Sequence, residues 1–494
     1  MQKINTMIRP GFILVYILLW FSGGICAQMN PAYSKETEEK IRAVEQNLGG
    51  WVRIEGESKW NLQDRMKHYH VNGISIAVVN DFKMEWARGY GWADSGEQRP
   101  VDIRTLFQAG SISKSLNAVG VLVLVQKGKL DLFADINQYL GSWKFPYDSV
   151  AKGKKISLAN LLSHTAGLTV HGFPGYQAGD TIPLLTQVLD GKRPANTAAV
   201  RSEFEPSLRF QYSGGGTTIS QLIVQDITKE PYDKYMLESV LQPLGMDNSF
   251  YTQPPAMDKR NQLATAYYND GKEVKGKYHI YPEQAAAGLW TNPTDLSKYI
   301  IETQLSLQGK SSKVLDQKMT RIRLTPYIDS AAGLGVFIVK KGDQRYFNHN
   351  GVDEGFVALY YGSMEGGKGM VVMANTYSTS ILDEIANSIA SVYHWKDFYK
   401  PQQKKIVTLK DDLMASYAGK YKLNKDTFEI VREKDGLYIV DGEQHMKMQF
   451  TSEANFFIYE AQGLELSFTR DPQGKLTGFD MKRDKNLMKA VKIG

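Results

Sequence analysis

Apolar and polar positions along the first 400 residues predict a mixture of helices and strands. The stretch KETEEKIRAVEQNL places Ile41, Val44 and Leu48 at helical spacing, which predicts an amphipathic helix. In GISIAVVNDFKMEWARGYGWAD the apolar residues alternate instead, and a turn at Asn80-Asp81 predicts a β-hairpin. Because helix and strand segments continue to mix after this point, we expect an α+β fold, with a sheet flanked by helices.

The run that follows LFQAGSISK is nearly continuously apolar from Ala118 to Val125. Its β-branched residues leave a buried strand open as an alternative. The serines ahead of the run and Gly128 behind it favour a helix that is buried on all sides.

The pattern changes near Lys400. The stretch YKPQQKKIVTLKDD is polar and basic and contains a proline, which is typical of a linker. Short alternating segments follow, separated by two Asp-Gly pairs and by DPQG, and they predict an antiparallel meander that closes into a small barrel or sandwich. We therefore expect a larger domain over residues 28–400 and a small β domain over residues 401–494.

The first 27 residues have the features of a secretory signal peptide. Lys3 and Arg9 form a basic start, an apolar stretch follows, and SGGICA ends it with Ala27 as the last residue removed. An uncleaved membrane anchor is the alternative. We expect a secreted protein of the bacterial periplasm, with no stable membrane span after cleavage.

Cysteine content and charge exclude several classes of function. Cys26 is the only cysteine, so cleavage after Ala27 leaves no disulfide, cysteine nucleophile or thiolate metal site. Lipid attachment at Cys26 stays open, although Ile25 is a poor residue before an acylated cysteine. The net charge of +6 is small for 494 residues, and no Lys/Arg run resembles a nucleic-acid-binding stripe.

Two Ser-x-x-Lys pairs occur in the chain. Ser149 and Lys152 lie in the polar loop YDSVAKGKK, and we interpret that pair as chance. If Ser111 begins a helix, Lys114 shares its face and its ammonium can reach the hydroxyl, and a buried helix would lower the pKa of Lys114. A capping serine beside a surface lysine is the simpler interpretation of this pair alone.

Three further stretches carry candidate site residues. RFQYSGGGTTISQL places Tyr212 and Ser213 before three glycines, which permit close backbone approach and unusual dihedrals; the alternative is a turn beside a core tyrosine. YFNHNGVDEGF places His349 and Gly351 before a predicted strand, where they can line a cleft, unless His349 is a structural histidine. LANLLSHTAGL places His164 in a turn after a helix.

Together these stretches carry a family resemblance. LFQAGSISK, LLSHTAGL, YSGGG, GLWTNPTDLSKYI and FNHNGVDEGF occur in one order, and over about residues 50 to 395 the chain resembles the serine β-lactamases and penicillin-recognising hydrolases. The likeness is to the class C-like branch, which includes D-aminopeptidases, D-Ala-D-Ala carboxypeptidases and esterases. The C-terminal meander is similar to the lipocalin-like accessory domain often fused to such enzymes.

The resemblance implies a mechanism and a set of site residues. Ser111 would attack a carbonyl and form an acyl-enzyme, while Lys114 and Tyr212 would share the proton transfers. The backbone N–H groups of Ser111 and Val352 would hold the oxyanion. The remaining members of the implied substrate-binding and catalytic set are Ser213, His349, Asn350 and Gly351. No cofactor or metal is implied.

Two departures from the family pattern bear on the substrate. Tyr212 is followed by Ser213 and Gly214, whereas the family pattern Tyr-x-Asn places an asparagine two residues after the tyrosine. His349, Asn350 and Gly351 replace Lys-Thr-Gly, so a largely neutral imidazole stands where a permanent cation would face a β-lactam carboxylate. Both changes argue against efficient β-lactam hydrolysis and fit an esterase or peptidase. We expect its substrate to be a small molecule or a peptide, such as one derived from the cell wall.

Two other functions remain open at the level of sequence. The first is a non-catalytic binder of cell-wall peptides or of a protein partner. Retention of Ser111, Lys114 and Tyr212 together favours an enzyme, since a binder needs no proton-transfer set. The second is a metal-dependent hydrolase, based on His68 and His70, but no further metal-ligand motif follows them.

Overall fold

The computed structural model describes residues 31–493 except 443, 460, 462, 484 and 485. The expected signal peptide, with Cys26, lies outside the described residues. In the part of the chain that is described, no helix is both long and apolar enough to cross a membrane.

A seven-stranded antiparallel sheet forms the centre of the larger domain. From one edge to the other its strands are Arg99–Pro100, Lys83–Asp94, Gly73–Asn80, Gly369–Ala374, Phe356–Ser363, Gln344–Asp353 and Phe337–Lys341. The predicted hairpin is confirmed, because Gly73–Asn80 pairs with Lys83–Asp94. The turn residues are Asp81 and Phe82, both with positive φ, which suits a tight hairpin turn.

Helices cover both faces of this sheet. Side chains alternate along Gly369–Ala374, so Val371 and Met373 enter one core while Met370 and Val372 enter the other. Among the described residues, the α-helices of this domain are Lys35–Glu45, Leu62–His68, Ser113–Gln126, Leu158–Leu162, Leu185–Asp190, Gly214–Thr228, Tyr232–Met236, Gln242–Leu244, Gln284–Ala287, Pro293–Leu307, Gln317–Leu324 and Ser380–Val392. The helix Asp411–Tyr417 packs with the C-terminal barrel. The predicted α+β fold is confirmed.

The apolar run after Ser111 forms the helix Ser113–Gln126. Every residue from Ser113 to Leu124 is buried, which explains why the segment has no polar face. The helix prediction is therefore confirmed and the strand alternative is wrong. Ser111 itself lies one turn earlier, in the short 3₁₀ segment Gly110–Ile112.

The C-terminal segment forms a nearly closed β-barrel. Nine strands make one antiparallel sheet: Gly419–Leu423, Asp426–Glu433, Gly436–Asp441, Gln444–Lys447, Gln449–Phe450, Asn455–Phe457, Glu465–Arg470, Leu476–Arg483 and Asn486–Lys492. The two edge strands, Gln444–Lys447 and Gln449–Phe450, are neighbours in the chain, so the edges of the sheet meet. Its interior is aromatic, with Tyr421, Phe468 and Phe479 packed together.

The barrel is attached to the start of the larger domain. Strand Val52–Ile54 pairs in parallel with Gln402–Lys404, just after the predicted linker begins. The Trp51 indole N–H donates to the Tyr459 carbonyl at 3.2 Å, and the Tyr459 hydroxyl donates to Glu57. This strand pair was not predicted. The two remaining short strands, Phe107–Gln108 and Trp290–Thr291, pair beside the Ser111 turn.

Candidate active site

The turn that carries Ser111 is held from several sides. Gly110 has a φ of +50°, a conformation that glycine adopts without strain. The Ser113 hydroxyl donates to the Gly110 carbonyl at 2.6 Å and accepts from the Leu289 N–H at 3.0 Å. The Ala109 N–H donates to the Leu289 carbonyl at 2.9 Å. Ser111 is therefore presented on a fixed backbone rather than on a free helix end.

Lys114 lies against Ser111, as the three-residue spacing predicted. Its Nζ is 2.9 Å from Ser111 Oγ and donates to the Ala286 carbonyl at 2.7 Å. Lys114 is buried, with only 4% of its surface exposed, so the surface-lysine alternative is wrong. Sequence reasoning missed the partner at Ala286, because a carbonyl oxygen gives no side-chain signal.

Tyr212 completes this group. The Lys114 Nζ lies 5.1 Å from the centre of the Tyr212 ring. The ring packs between His164, with centroids 4.2 Å apart, and Phe337, with centroids 6.5 Å apart. Tyr212 is half-buried and borders the cleft next to Ser111.

Ser213 has a structural contact that the sequence did not predict. Its hydroxyl accepts from the Gly216 N–H at 2.9 Å, so Ser213 caps the helix Gly214–Thr228, and it donates to the Thr169 carbonyl at 3.0 Å. Both contacts turn the hydroxyl toward the protein. The expected substrate contact of Ser213 thus has no support in this geometry.

The glycines after Ser213 serve close packing, as expected, but not unusual dihedrals. None of the three has a positive φ, and they form the first turn of a helix. A Cβ on Gly215 would lie 2.7 Å from the Val200 side chain, and one on Gly214 would lie 2.9 Å from Phe173. The glycines therefore let the loop over residues 169–205 pack against the helix beside Tyr212.

Residues 349 to 352 lie along the end of a strand next to the Ser111 turn. The edge strand Phe337–Lys341 pairs with Gln344–Asp353 only as far as Asn348, so the later residues leave one edge unpaired. The Ser111 turn fills that place: a Cβ on Gly351 would lie 1.9 Å from the Ala109 carbonyl, and one on Gly110 would lie 2.6 Å from Val352 N. The backbones of Ser111 and Val352 are thus side by side.

His349 is buried behind the cleft and is neutral. Its Nδ1 lies 2.6 Å from the Asn350 carbonyl, and since a carbonyl only accepts, Nδ1 donates, so the neutral ring carries its one proton on Nδ1 and none on Nε2. Burial, and then the Lys114 ammonium, lower the pKa of His349 to about 3. The neutral imidazole expected from the sequence is therefore what this environment favours.

Two buried carboxyl groups, those of Asp353 and Glu283, lie near the site, and sequence reasoning did not identify them. Burial raises the pKa of Asp353, outweighing the opposing effects of Lys114 and of the Gly110 N–H, which donates to this carboxyl group. Burial also raises the pKa of Glu283 to about 7. In the sequence, their positions alone could have pointed to the site: Asp353 follows Val352, and Glu283 precedes the helix that holds Ala286.

The cleft in front of Ser111 has a volume of about 410 Å³ and is mainly aromatic and apolar. Its lining residues are Ser111, Phe210, Tyr212, Phe337, Asn350 and Val352. Val352 is 44% exposed, and its side chain faces this space. Of the residues that the sequence singled out, Ser111, Tyr212, Asn350 and Val352 line this cleft. Lys114, His349 and Gly351 are buried next to them, and the hydroxyl of Ser213 faces the protein. Among the residues that the structure describes, no cluster of His, Cys, Asp and Glu could hold a metal ion.

Comparisons with known proteins agree with this architecture. Residues 60–392 match the Beta-lactamase family. The chain is 23% identical over 334 residues to Protein flp of Staphylococcus aureus (strain N315), a match that covers 66% of this chain and 65% of that protein. It is 25% identical over 359 residues to the putative penicillin-binding protein PbpX of Bacillus subtilis (strain 168), covering 72% of this chain and 81% of the relative.

A solved structure shares the fold. D-amino acid amidase from Ochrobactrum anthropi SV3, solved in complex with L-phenylalanine amide, superimposes with a TM-score of 0.57 at 19% identity, covering 72% of this chain and 99% of the amidase. The chain matches about two thirds of the length of the Staphylococcus aureus relatives. The family match spans more than half of the chain, so the protein belongs to the beta-lactamase family of hydrolases.

Proposed function

We propose that the protein is a secreted serine hydrolase that acts on an ester or amide through a covalent acyl-enzyme. The contact between the buried Lys114 Nζ and Ser111 Oγ, at 2.9 Å and beside an open cleft, carries this proposal. Ser111 lines the cleft, so a contact with its hydroxyl places Lys114 where it can take part in the chemistry, which simple packing in the core does not require. The expected leader over residues 1–27 supports secretion.

The proposed reaction has two halves. In its active form the Lys114 and Tyr212 pair carries one proton fewer than an ammonium plus a phenol, so it takes the Ser111 proton as Ser111 Oγ attacks the substrate carbonyl carbon. The leaving alcohol or amine then takes that proton from the pair as the C–O or C–N bond breaks. Water then attacks the acyl group by the same route, which releases the acid and restores the Ser111 hydroxyl. The N–H groups of Ser111 and Val352 stabilise the negative oxygen in both halves.

The cleft favours an acyl group that is apolar and carries no carboxylate. The rings of Phe210, Tyr212 and Phe337 form its walls, and the neutral His349 stands where a cation would be needed to hold a carboxylate. The shared fold with a D-amino acid amidase makes amides reasonable substrates beside esters. We expect hydrolysis of penicillins to be weak or absent.

The second Ser-x-x-Lys pair supplies a matched control for the test. Ser149 is exposed in a surface turn, and Lys152 lies 3.9 Å from Glu205. With a p-nitrophenyl ester, a D-amino acid amide and a penicillin as substrates, Ser111→Ala should lower kcat by at least about 10³-fold, whereas Ser149→Ala should leave it unchanged. Turnover that survives in Ser111→Ala would refute the proposal, and a folded wild type without any turnover would favour a binding protein.

A further inference from the structure

His164 holds Tyr212 through three contacts. The His164 carbonyl accepts the Gln211 N–H at 2.8 Å, and its Nδ1 accepts the Ser213 N–H at 3.2 Å. One residue thus bonds the backbone on both sides of Tyr212. In addition, the His164 ring packs against the Tyr212 ring in a tilted arrangement, with centroids 4.2 Å apart and planes inclined by 34°.

The backbone of His164 is shaped for this arrangement. The residue follows the short helix Leu158–Leu162 and has a φ of +58°, which turns the chain sharply. An ordinary residue pays for that conformation, whereas asparagine tolerates it. His164 is also only 5% exposed, so the surrounding residues hold both its backbone conformation and the orientation of its ring.

The protonation of His164 is fixed by the same contacts. Because Nδ1 accepts a backbone N–H, the ring carries its proton on Nε2. Burial, followed by the charges of Lys114 and His349, lowers the pKa of His164 well below its usual value. The His164 imidazole therefore packs against the Tyr212 ring in its neutral form and places no positive charge next to Lys114.

We infer that His164 is a positioning residue for proton transfer: it fixes the Tyr212 ring so that the Tyr212 hydroxyl serves Ser111. The inference rests on the proposed function, since it assigns to Tyr212 a share of the proton transfer. His164 does not line the cleft, so it acts through Tyr212 and not on the substrate. Its loss should therefore lower kcat and leave KM nearly unchanged.

A double-mutant cycle in the full chain tests this inference. His164→Ala should lower kcat by roughly 10- to 100-fold, with KM within about twofold of wild type. In a Tyr212→Phe background there is no hydroxyl to position, so adding His164→Ala should lower kcat by less than about twofold. Independent, multiplying losses in the double variant would overturn the inference, as would wild-type kcat in His164→Ala.

Two further variants separate positioning from folding. His164→Asn keeps an acceptor for the Ser213 N–H and tolerates the positive φ, so it should recover at least part of the lost kcat even if His164→Ala folds poorly. His394→Ala removes another histidine with positive φ, one that is exposed after the helix Ser380–Val392, and it should keep wild-type kcat. An Asn variant that folds but is no better than the Ala variant would count against the backbone part of the inference.

The proposed function fails by a different result. If Ser111→Ala retains turnover, the acyl-enzyme itself is wrong. If Ser111→Ala is inactive but Tyr212→Phe changes kcat by less than tenfold, the nucleophile stands and the role of Tyr212 falls, together with that of His164.

Discussion

Gly351 shows how a single hydrogen atom in place of a side chain determines the site. A Cβ at this position would lie 1.9 Å from the Ala109 carbonyl and 3.1 Å from Ser111 N. Both contacts are with backbone, which cannot move aside as the end of a flexible side chain can. Position 351 therefore requires a glycine because the Ala109 and Ser111 backbone lies so close. Backbone conformation is not the reason, since the φ of Gly351 is not in the left-handed region.

We predict that Gly351→Ala separates the Ser111 turn from Val352 and misaligns the two N–H groups that are proposed to hold the oxyanion. Its kcat should fall by about 10- to 10³-fold, measured by steady-state kinetics on an activated ester. Gly50→Ala is the control, because a Cβ on Gly50 would meet no atom within 4 Å and should change nothing. Wild-type kcat in a folded Gly351→Ala variant would remove the oxyanion role from this strand.

We predict that the buried carboxyl group of Glu283 makes the stability of the protein depend on pH. Burial raises its pKa from 4.5 to about 7, so between those pH values the folded chain holds a proton that the unfolded chain has released. Stability should fall as the pH rises through this window. Glu283→Gln removes the ionisation, so its free energy of unfolding should match that of wild type at pH 4.5 and exceed it by about 3 kcal/mol at pH 8.

Urea unfolding of both proteins at the two pH values measures this difference. The pH dependence of the gap is the informative quantity, since any packing effect of the amide is common to both conditions. A gap of equal size at pH 4.5 and pH 8 would show that Glu283 does not titrate in this window.

At the residue scale, local spacing could be predicted and distant contacts could not. Ser111 and Lys114 lie within one turn, so their contact follows from helix geometry. The ring contact between His164 and Tyr212 joins two stretches 48 positions apart, and the loop between them carries no pattern that predicts this contact. The sequence placed His164 in a turn but gave no indication of what its ring touches.

At the scale of single elements, a substitution of Ser213 distinguishes two roles of its hydroxyl: contact with the substrate, or capping of the helix that follows it. Its hydroxyl caps Gly214–Thr228, so Ser213→Ala should lower the free energy of unfolding by about 1 kcal/mol, measured by urea denaturation. KM should change by less than about twofold, because the hydroxyl faces the protein. A large rise in KM with unchanged stability would restore the substrate contact expected from the sequence.

The elements that the sequence predicted are those with a strong local signal. The helix Ser113–Gln126 is buried on all sides, and the serines and glycine at its ends distinguished it from a strand. The strand Val52–Ile54 was not predicted. It has three residues and is held by Gln402–Lys404, about 350 positions away, so no local pattern marks it.

For the whole molecule, the attachment of the barrel determines where the chain can be divided. The predicted boundary at residue 400 falls just before Gln402–Lys404, the strand that pairs with Val52–Ile54. The described residues between 405 and 493 contain the barrel, which has its own aromatic core, and none of the cleft residues belongs to it. We therefore treat the barrel as accessory to the chemistry.

Two truncations test this division. A chain that ends at residue 404 keeps the strand pair and should fold and retain the acylation rate of the full chain within about threefold, because every group near Ser111 is present. A chain that ends at residue 400 also loses the strand pair and should unfold at a lower temperature. A folded chain ending at 404 that no longer acylates would show that the barrel takes part in catalysis.

The central claim is that Ser111 is an activated nucleophile, and intact mass after incubation with a fluorophosphonate tests it most directly. We expect one adduct on wild type and on Ser149→Ala, and none on Ser111→Ala. The absence of an adduct on folded wild type, or an adduct that persists in Ser111→Ala, would contradict the account.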